Sequence, residues 1–165
     1  MVDFLLDCIE KHENGVVLEP RGHAKTTWGN SILLSWLVGK YPDIRIGLIS
    51  NTATQANGFS RAIRWTLQMN DRFKEVFGDC VSPAKWTDLE WLRKDSKNHG
   101  SNNVTMMSVG VAGALLGKRF DIILCDDILD SENTINIDQR DKVDEWFFKT
   151  LKPCLVPGGI MLVLG

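Results

Sequence analysis

Val16-Val17-Leu18-Glu19-Pro20-Arg21-Gly22-His23-Ala24-Lys25-Thr26-Thr27 carries an apolar run through Pro and Gly into Lys-Thr-Thr, and a long apolar-rich segment follows. The order reads as strand, phosphate-binding loop, helix. Unpaired N–H groups in the first turn of a helix, together with the positive end of its dipole, make a site for phosphate. Lys25 adds a full positive charge facing the β- and γ-phosphates, and the Thr26 hydroxyl completes the shell of a Mg²⁺ ion. Arg21, Gly22, His23, Ala24, Lys25, Thr26 and Thr27 are therefore the candidate nucleotide contacts. The stretch departs from G-x-x-x-x-G-K-S/T at two places, with Glu19 at the first glycine and Ala24 at the second. Only Gly22 is left to bring backbone close to phosphate. An ordinary strand-to-helix turn holding Lys-Thr is the alternative, and what weighs against it lies far downstream, at Asp126 and Asp127.

A chain of 165 residues is one domain's worth, long enough for a single core. Its 44% hydrophobic and 24% charged content is that of a soluble globular chain, and no apolar run approaches the roughly 18–20 residues needed to span a bilayer. Membrane insertion is excluded on that ground. The opening Met1-Val2-Asp3-Phe4-Leu5-Leu6-Asp7 lacks the basic region of a secretory signal, so a cytoplasmic location is expected. Cys8, Cys80, Cys125 and Cys154 form no C-x-x-C pair and have no histidine partners at metal spacing, which points to reduced, buried thiols. A formal net charge of −2 supplies no global field for nucleic acid, so any DNA contact must come from a local patch or a partner.

Read in order, residues 3–12 predict a short helix stopped by Asn14-Gly15, and 15–19 a strand. Trp28, Ile32, Leu33, Trp36 and Leu37 make a helical stripe over 27–40, ended by Gly39 and Pro42. Residues 45–50 form a second strand, and Asn51-Thr52 offers capping oxygens to a helix through Ala53, Ala56, Phe59, Ile63 and Leu67. Two such units favour a parallel sheet. A short helix is expected at 70–78, strand or loop at 86–92, a strand at 103–109, and a Gly-rich turn at 110–119. Phe120-Asp121-Ile122-Ile123-Leu124-Cys125-Asp126-Asp127 reads as a strand buried on both faces. Residues 137–151 form a helix broken by Pro153, 157–159 a turn, and 160–164 one more buried strand. A chain stopping on a central strand is expected to be a piece of a longer protein. Trp28, Trp36 and Trp146 sit on apolar helical faces and are assigned to core packing, and Lys118-Arg119 to a solvated basic turn. His23 is assigned to the loop, packing on its neighbours.

Apolar residues followed by two carboxylates put Asp126 and Asp127 at the carboxyl end of a buried strand, where ligands of open α/β sheets collect. Alone, the pair could be surface acids or helix caps. Joined in this order to Lys25-Thr26, with β–α units between, it resembles the P-loop nucleotide hydrolases. In them the first acid holds Mg²⁺ through its waters and the second orients or deprotonates the attacking water. Asp126 takes the first role and Asp127 the second.

More narrowly, the chain resembles the large terminase subunit of tailed double-stranded DNA phages, the motor that packages the genome. The carrying residues are Pro20 through Thr27, the Gly113-x-x-x-Gly117-Lys118-Arg119 approach, Ile122 through Asp127 with the following Ile128-Leu129-Asp130-Ser131-Glu132-Asn133, and Pro157 through Gly165. The resemblance implies an α/β P-loop NTPase domain of the RecA-like, ASCE type, three-layered with a mostly parallel central sheet. It implies ATP and Mg²⁺ as ligands, with Thr26 and Asp126 at the metal and Lys25, Asp127 and Arg21 catalytic, Arg21 meeting the γ-phosphate. Implied partners are double-stranded DNA, the portal protein, the small terminase subunit and further copies in a ring, in the host cytoplasm on the procapsid. The nuclease domain of the family has no counterpart in residues 1–165. The alternatives are a helicase-like nucleic-acid-dependent ATPase and a nucleotide-binding assembly module without turnover of its own.

Overall fold

The computed structural model describes residues 1–20, 22–115, 117–129 and 136–165. Helix α1 (Val2–Lys11) ends on a left-handed His12 and leads into β1 (Gly15–Val17). After the loop, wide π-type turns over Thr27–Leu33 run into α2 (Leu34–Lys40). Strand β2 (Ile46–Ser50) precedes α3 (Ala53–Met69) and α4 (Asp71–Phe77), each opened by a side chain accepting a backbone N–H: Thr52 from Gln55, and Asn70 from Phe73. Strands β3 (Val81–Trp86), β4 (Glu90–Arg93), β5 (Met106–Gly110) and β6 (Phe120–Asp126) follow. Helix α5 (Ile137–Trp146) continues through irregular turns to β7 (Leu155–Leu164).

All seven strands join one sheet in the order β1-β7-β6-β2-β5-β4-β3. Pairing is parallel from β1 to β5, and β4 and β3 close one edge antiparallel. The period-two alternation of strands divides the core in two. Leu48, Ile122, Leu124 and Leu162 pack with Leu5, Leu34, Leu37, Ile63 and Leu67 of helices α1 to α3. Ile49, Ile123, Cys125 and Met161 pack with Leu115, Trp146 and Leu151 on the other face. Helices therefore cover both faces of a mostly parallel sheet, the three-layer α/β arrangement expected. All four cysteines are free and buried, and burial pushes the Cys125 thiol up to about 12.

The 86–92 stretch, expected as strand or loop, falls in an antiparallel hairpin, with Trp86 ending β3 and Glu90 opening β4. Trp91 is fully buried, has its ring 5.0 Å from that of Trp86 and donates its indole N–H to Ser60 Oγ at 3.0 Å. Other expectations are corrected. Pro157-Gly158-Gly159 is not a turn but an irregularity within β7, where the register passes from Phe120 opposite Leu155 to Ile122 opposite Ile160. Trp28 is 44% exposed and Ile32 also faces solvent, whereas Gly29, Asn30 and Leu33 are buried. The stripe is rotated because Gly29 lets the helix close on Leu164, a contact that a pattern of large apolar residues does not register. Trp146 is buried as expected, and Trp36 packs partly against the core. Lys118 is not a solvated cation: it is buried, with Nζ 2.8 Å from both Glu90 Oε2 and the Asn102 carbonyl oxygen.

Two glycines test this packing. An added Cβ at Gly110 would lie 2.5 Å from the Ala53 nitrogen, where β5 meets the start of α3. Gly58, inside α3, has nothing within 4 Å of the same position. In thermal melts, Gly110→Ala is expected to cost about 1–3 kcal/mol, and Gly58→Ala to add about 0.5–1 kcal/mol.

Candidate active site at the carboxyl ends of the parallel strands

Strands β1 and β6 are held apart by β7, whose end ties both. Gly165 N–H donates to the Val17 carbonyl, Glu19 N–H to the Gly165 carbonyl, and Asp127 N–H to the Leu164 carbonyl, each at 2.9 Å. The loop after β1 and the acids at the end of β6 thus flank the same crevice. Along the loop Gly22 and Ala24 take the left-handed conformation, at φ 88° and 59°. His23 faces solvent with Nδ1 3.1 Å from the Pro20 carbonyl oxygen, a loop-closing contact. The helix begins at once, with Trp28 N–H donating to the Ala24 carbonyl at 3.0 Å. Arg21 lies outside the described residues, as do Leu116 and residues 130–135, which include Asp130 through Asn133.

Asp126 continues the alternation of Ile122 and Leu124 and so points at the helix that follows the loop. It is 2% exposed. Its Oδ1 accepts from the Thr26 hydroxyl at 3.3 Å and its Oδ2 from the Asn30 amide at 2.7 Å. In a continuing strand Asp127 would face the opposite layer. Instead it adopts φ 45°, in the left-handed region that Asp tolerates better than most residues. Its carboxylate swings back over the same crevice and accepts from Lys25 Nζ at 2.9 Å. Lys25 is 7% exposed, whereas Asp127 remains open to solvent. Residues a hundred positions apart in sequence are thereby within hydrogen-bonding distance.

Pro20, Gly22, Ala24, Lys25, Thr26, Gln55 and Asp127 line a cleft of about 470 Å³. Backbone N–H groups of a helix's first turn, one buried ammonium and an adjacent hydroxyl are the equipment for polyphosphate. Among the described residues no group of three or more His, Cys, Asp or Glu side chains gathers as a metal cage. A magnesium ion accompanying phosphates asks less, one or two carboxylates and a hydroxyl beside the phosphate oxygens and water. Asp126 and Thr26, hard oxygen donors already in contact, fit that need.

Two residues of the site escaped the sequence reading. Asn30 stands four residues after Thr26 on the same helix face, and the only signal was an asparagine among apolar neighbours. Gln55 carries a clearer one, Thr52-x-x-Gln55, a capping-box spacing. Its Oε1 accepts from the Ser50 and Thr52 hydroxyls, both at 3.4 Å, which places its side chain on the cleft wall.

No protein-family model matches this chain, and neither does any curated protein. The geometry therefore carries the functional argument. Among the described residues no helix is long and apolar enough to cross a membrane.

Burial raises the pKa of Asp126 above its ordinary value, despite the hydrogen bonds from Asn30 and Thr26 that pull the other way. The folded state then holds the proton to higher pH than the unfolded chain. This contribution to stability is largest below the unfolded pKa and is lost as pH rises through the folded one. Asp126→Asn is expected to raise the melting temperature of the nucleotide-free protein at pH 7, with the gain shrinking in melts taken toward pH 4.

Proposed function

We propose that this chain is a P-loop ATPase domain of the additional-strand type, serving a motor that moves double-stranded DNA into a viral procapsid. The observation that carries the reading is the paired contact across the crevice, Lys25 with Asp127 and Thr26 with Asp126. Loop, helix start and consecutive acids converge at the carboxyl ends of parallel strands, where such chemistry belongs. The packaging assignment rests on the sequence resemblance to large terminase subunits.

The reaction is attack of water on the γ-phosphorus, breaking the bond to the bridging oxygen and releasing ADP and inorganic phosphate. Lys25 and the loop amides hold the phosphates. Thr26 and Asp126 would hold Mg²⁺, which when bound neutralises charge on the phosphate oxygens. In the structure the Lys25 ammonium rests on the Asp127 carboxylate. Phosphate oxygens compete for that ammonium, so nucleotide binding frees the carboxylate. Asp127 then accepts a hydrogen bond from the water and aims it at the γ-phosphorus. Arg21, by the same resemblance, stabilises charge developing on the γ-phosphate, a role worth ~10³–10⁵ in rate elsewhere.

Equilibrium binding and phosphate release with Mg-ATP, with and without double-stranded DNA, test the reading. Lys25→Ala is expected to abolish nucleotide binding. Asp127→Asn should bind ATP at least as tightly as the parent, because Lys25 loses its competing partner, while turnover falls about 10²–10⁴-fold. Full turnover by Asp127→Asn would remove the acid from its role. Binding with no hydrolysis under any of these conditions would favour an assembly module.

A further inference from the structure

Asn30 is fully buried. Its Nδ2 makes the shorter of the two contacts to Asp126, 2.7 Å against 3.3 Å from Thr26, while its Oδ1 has no partner among the described residues. A buried amide oxygen without a partner is destabilising, and an apolar side chain of the same size would avoid the defect. The amide cannot relieve it by turning over, because that would set its oxygen against the Asp126 carboxylate. What Asn30 provides is therefore the N–H, and the acceptor is one atom, Asp126 Oδ2.

The two donors to Asp126 stand four residues apart on one helix face. Together they hold the carboxylate by both oxygens. Oδ2 is turned inward onto Asn30, and Oδ1 is left beside Thr26, the residue of this pair that lines the cleft. We propose that Asn30 is a positioning residue: by anchoring Oδ2 it fixes Oδ1, next to the Thr26 hydroxyl, as the oxygen offered to the divalent cation that enters with nucleotide. The inference rests on the ATPase reading but concerns only this chain's own residues. Partners that orient a ligating carboxylate affect metal affinity about 10–100-fold when removed, without touching the metal.

The test is calorimetric titration of the whole chain with ATP, once in EDTA and once in excess Mg²⁺. The ratio of the two dissociation constants measures what the metal adds. Asn30→Leu is expected to lower that ratio roughly tenfold while leaving the EDTA dissociation constant within about twofold of the parent's. In the Asp126→Asn background the same substitution should change the ratio less than about twofold, since its target has gone. A merely structural role would shift both backgrounds alike. Should Asn30→Leu fail to fold, Asn30→Ser, too short to reach Asp126, reads the same ratio. An unchanged ratio in a folded variant, or equal losses in both backgrounds, overturns the proposal. ATP binding by the parent that ignores Mg²⁺ overturns instead the metal role of Thr26 and Asp126, and no binding at all overturns the ATPase reading.

Discussion

A carboxylate at the end of a strand buried on both faces sets conditions on everything around it. Asp126 lies in the plane where Ile122 and Leu124 meet helices α1 to α3, so it must be met by hydrogen-bond donors. Thr26 and Asn30 supply them from one helix face, which requires that helix to run close against the sheet. Gly29 makes the approach possible: any Cβ there would lie 2.4 Å from Leu164 Cδ1. The start of the helix is thereby fixed against the ends of β6 and β7, and the loop from β1 must reach it in a few residues. Left-handed turns at Gly22 and Ala24 accomplish this. The shape of the loop follows from a buried acid on another strand.

The same economy of space explains how two adjacent carboxylates serve one cleft from different dielectric surroundings. Regular pleating would send Asp127 to the opposite layer. Its left-handed backbone, with its N–H still bonded to the Leu164 carbonyl, lets the sheet end and the side chain turn in a single residue. The result is one acid enclosed and one open to water. Backbone strain of this kind persists only where surrounding contacts over-determine it, and here the β7 carbonyl and the Lys25 ammonium both hold Asp127 in place.

Much of this architecture was legible because it depends on patterns with a physical period. The apolar run of β6, the Thr52 cap of α3 and the alternation of strand and helix each follow from local chemistry, and the Lys25, Thr26, Asp126 and Asp127 contacts follow from their order along the parallel sheet. The reading failed where close approach or long-range pairing decides. Gly29 and Asn30 rank low as core residues by hydrophobicity, yet they define the buried face, and Trp28, which ranks high, is left outside. The hairpin carrying Trp86 and Trp91 reads only as strand or loop, its pattern being mixed because β3 lies at the sheet edge while Trp91 is enclosed by α3 through Ser60. Lys118 reads as surface charge because Glu90, the carboxylate that pairs with it inside the fold, lies on β4, distant in sequence from the turn that carries Lys118.

Charge in the cleft gives the proposed reaction its order. Among the described residues that line it, Lys25 is the only lysine or arginine, and Asp127 occupies it. A polyphosphate entering this space brings several negative charges beside the Asp127 carboxylate, with the buried Asp126 carboxylate in contact with Thr26. For Lys25 to serve it the ammonium must change partner, and a divalent cation arriving with the phosphates offsets more of their charge. On the proposed reading, binding substrate and releasing the acid are therefore one event. Before phosphate is in place Asp127 is committed to the ammonium and has less capacity to hold water, and once phosphate takes the ammonium the carboxylate is freed beside the bond to be broken. The Lys25–Asp127 contact is then also the one that keeps the acid from acting early.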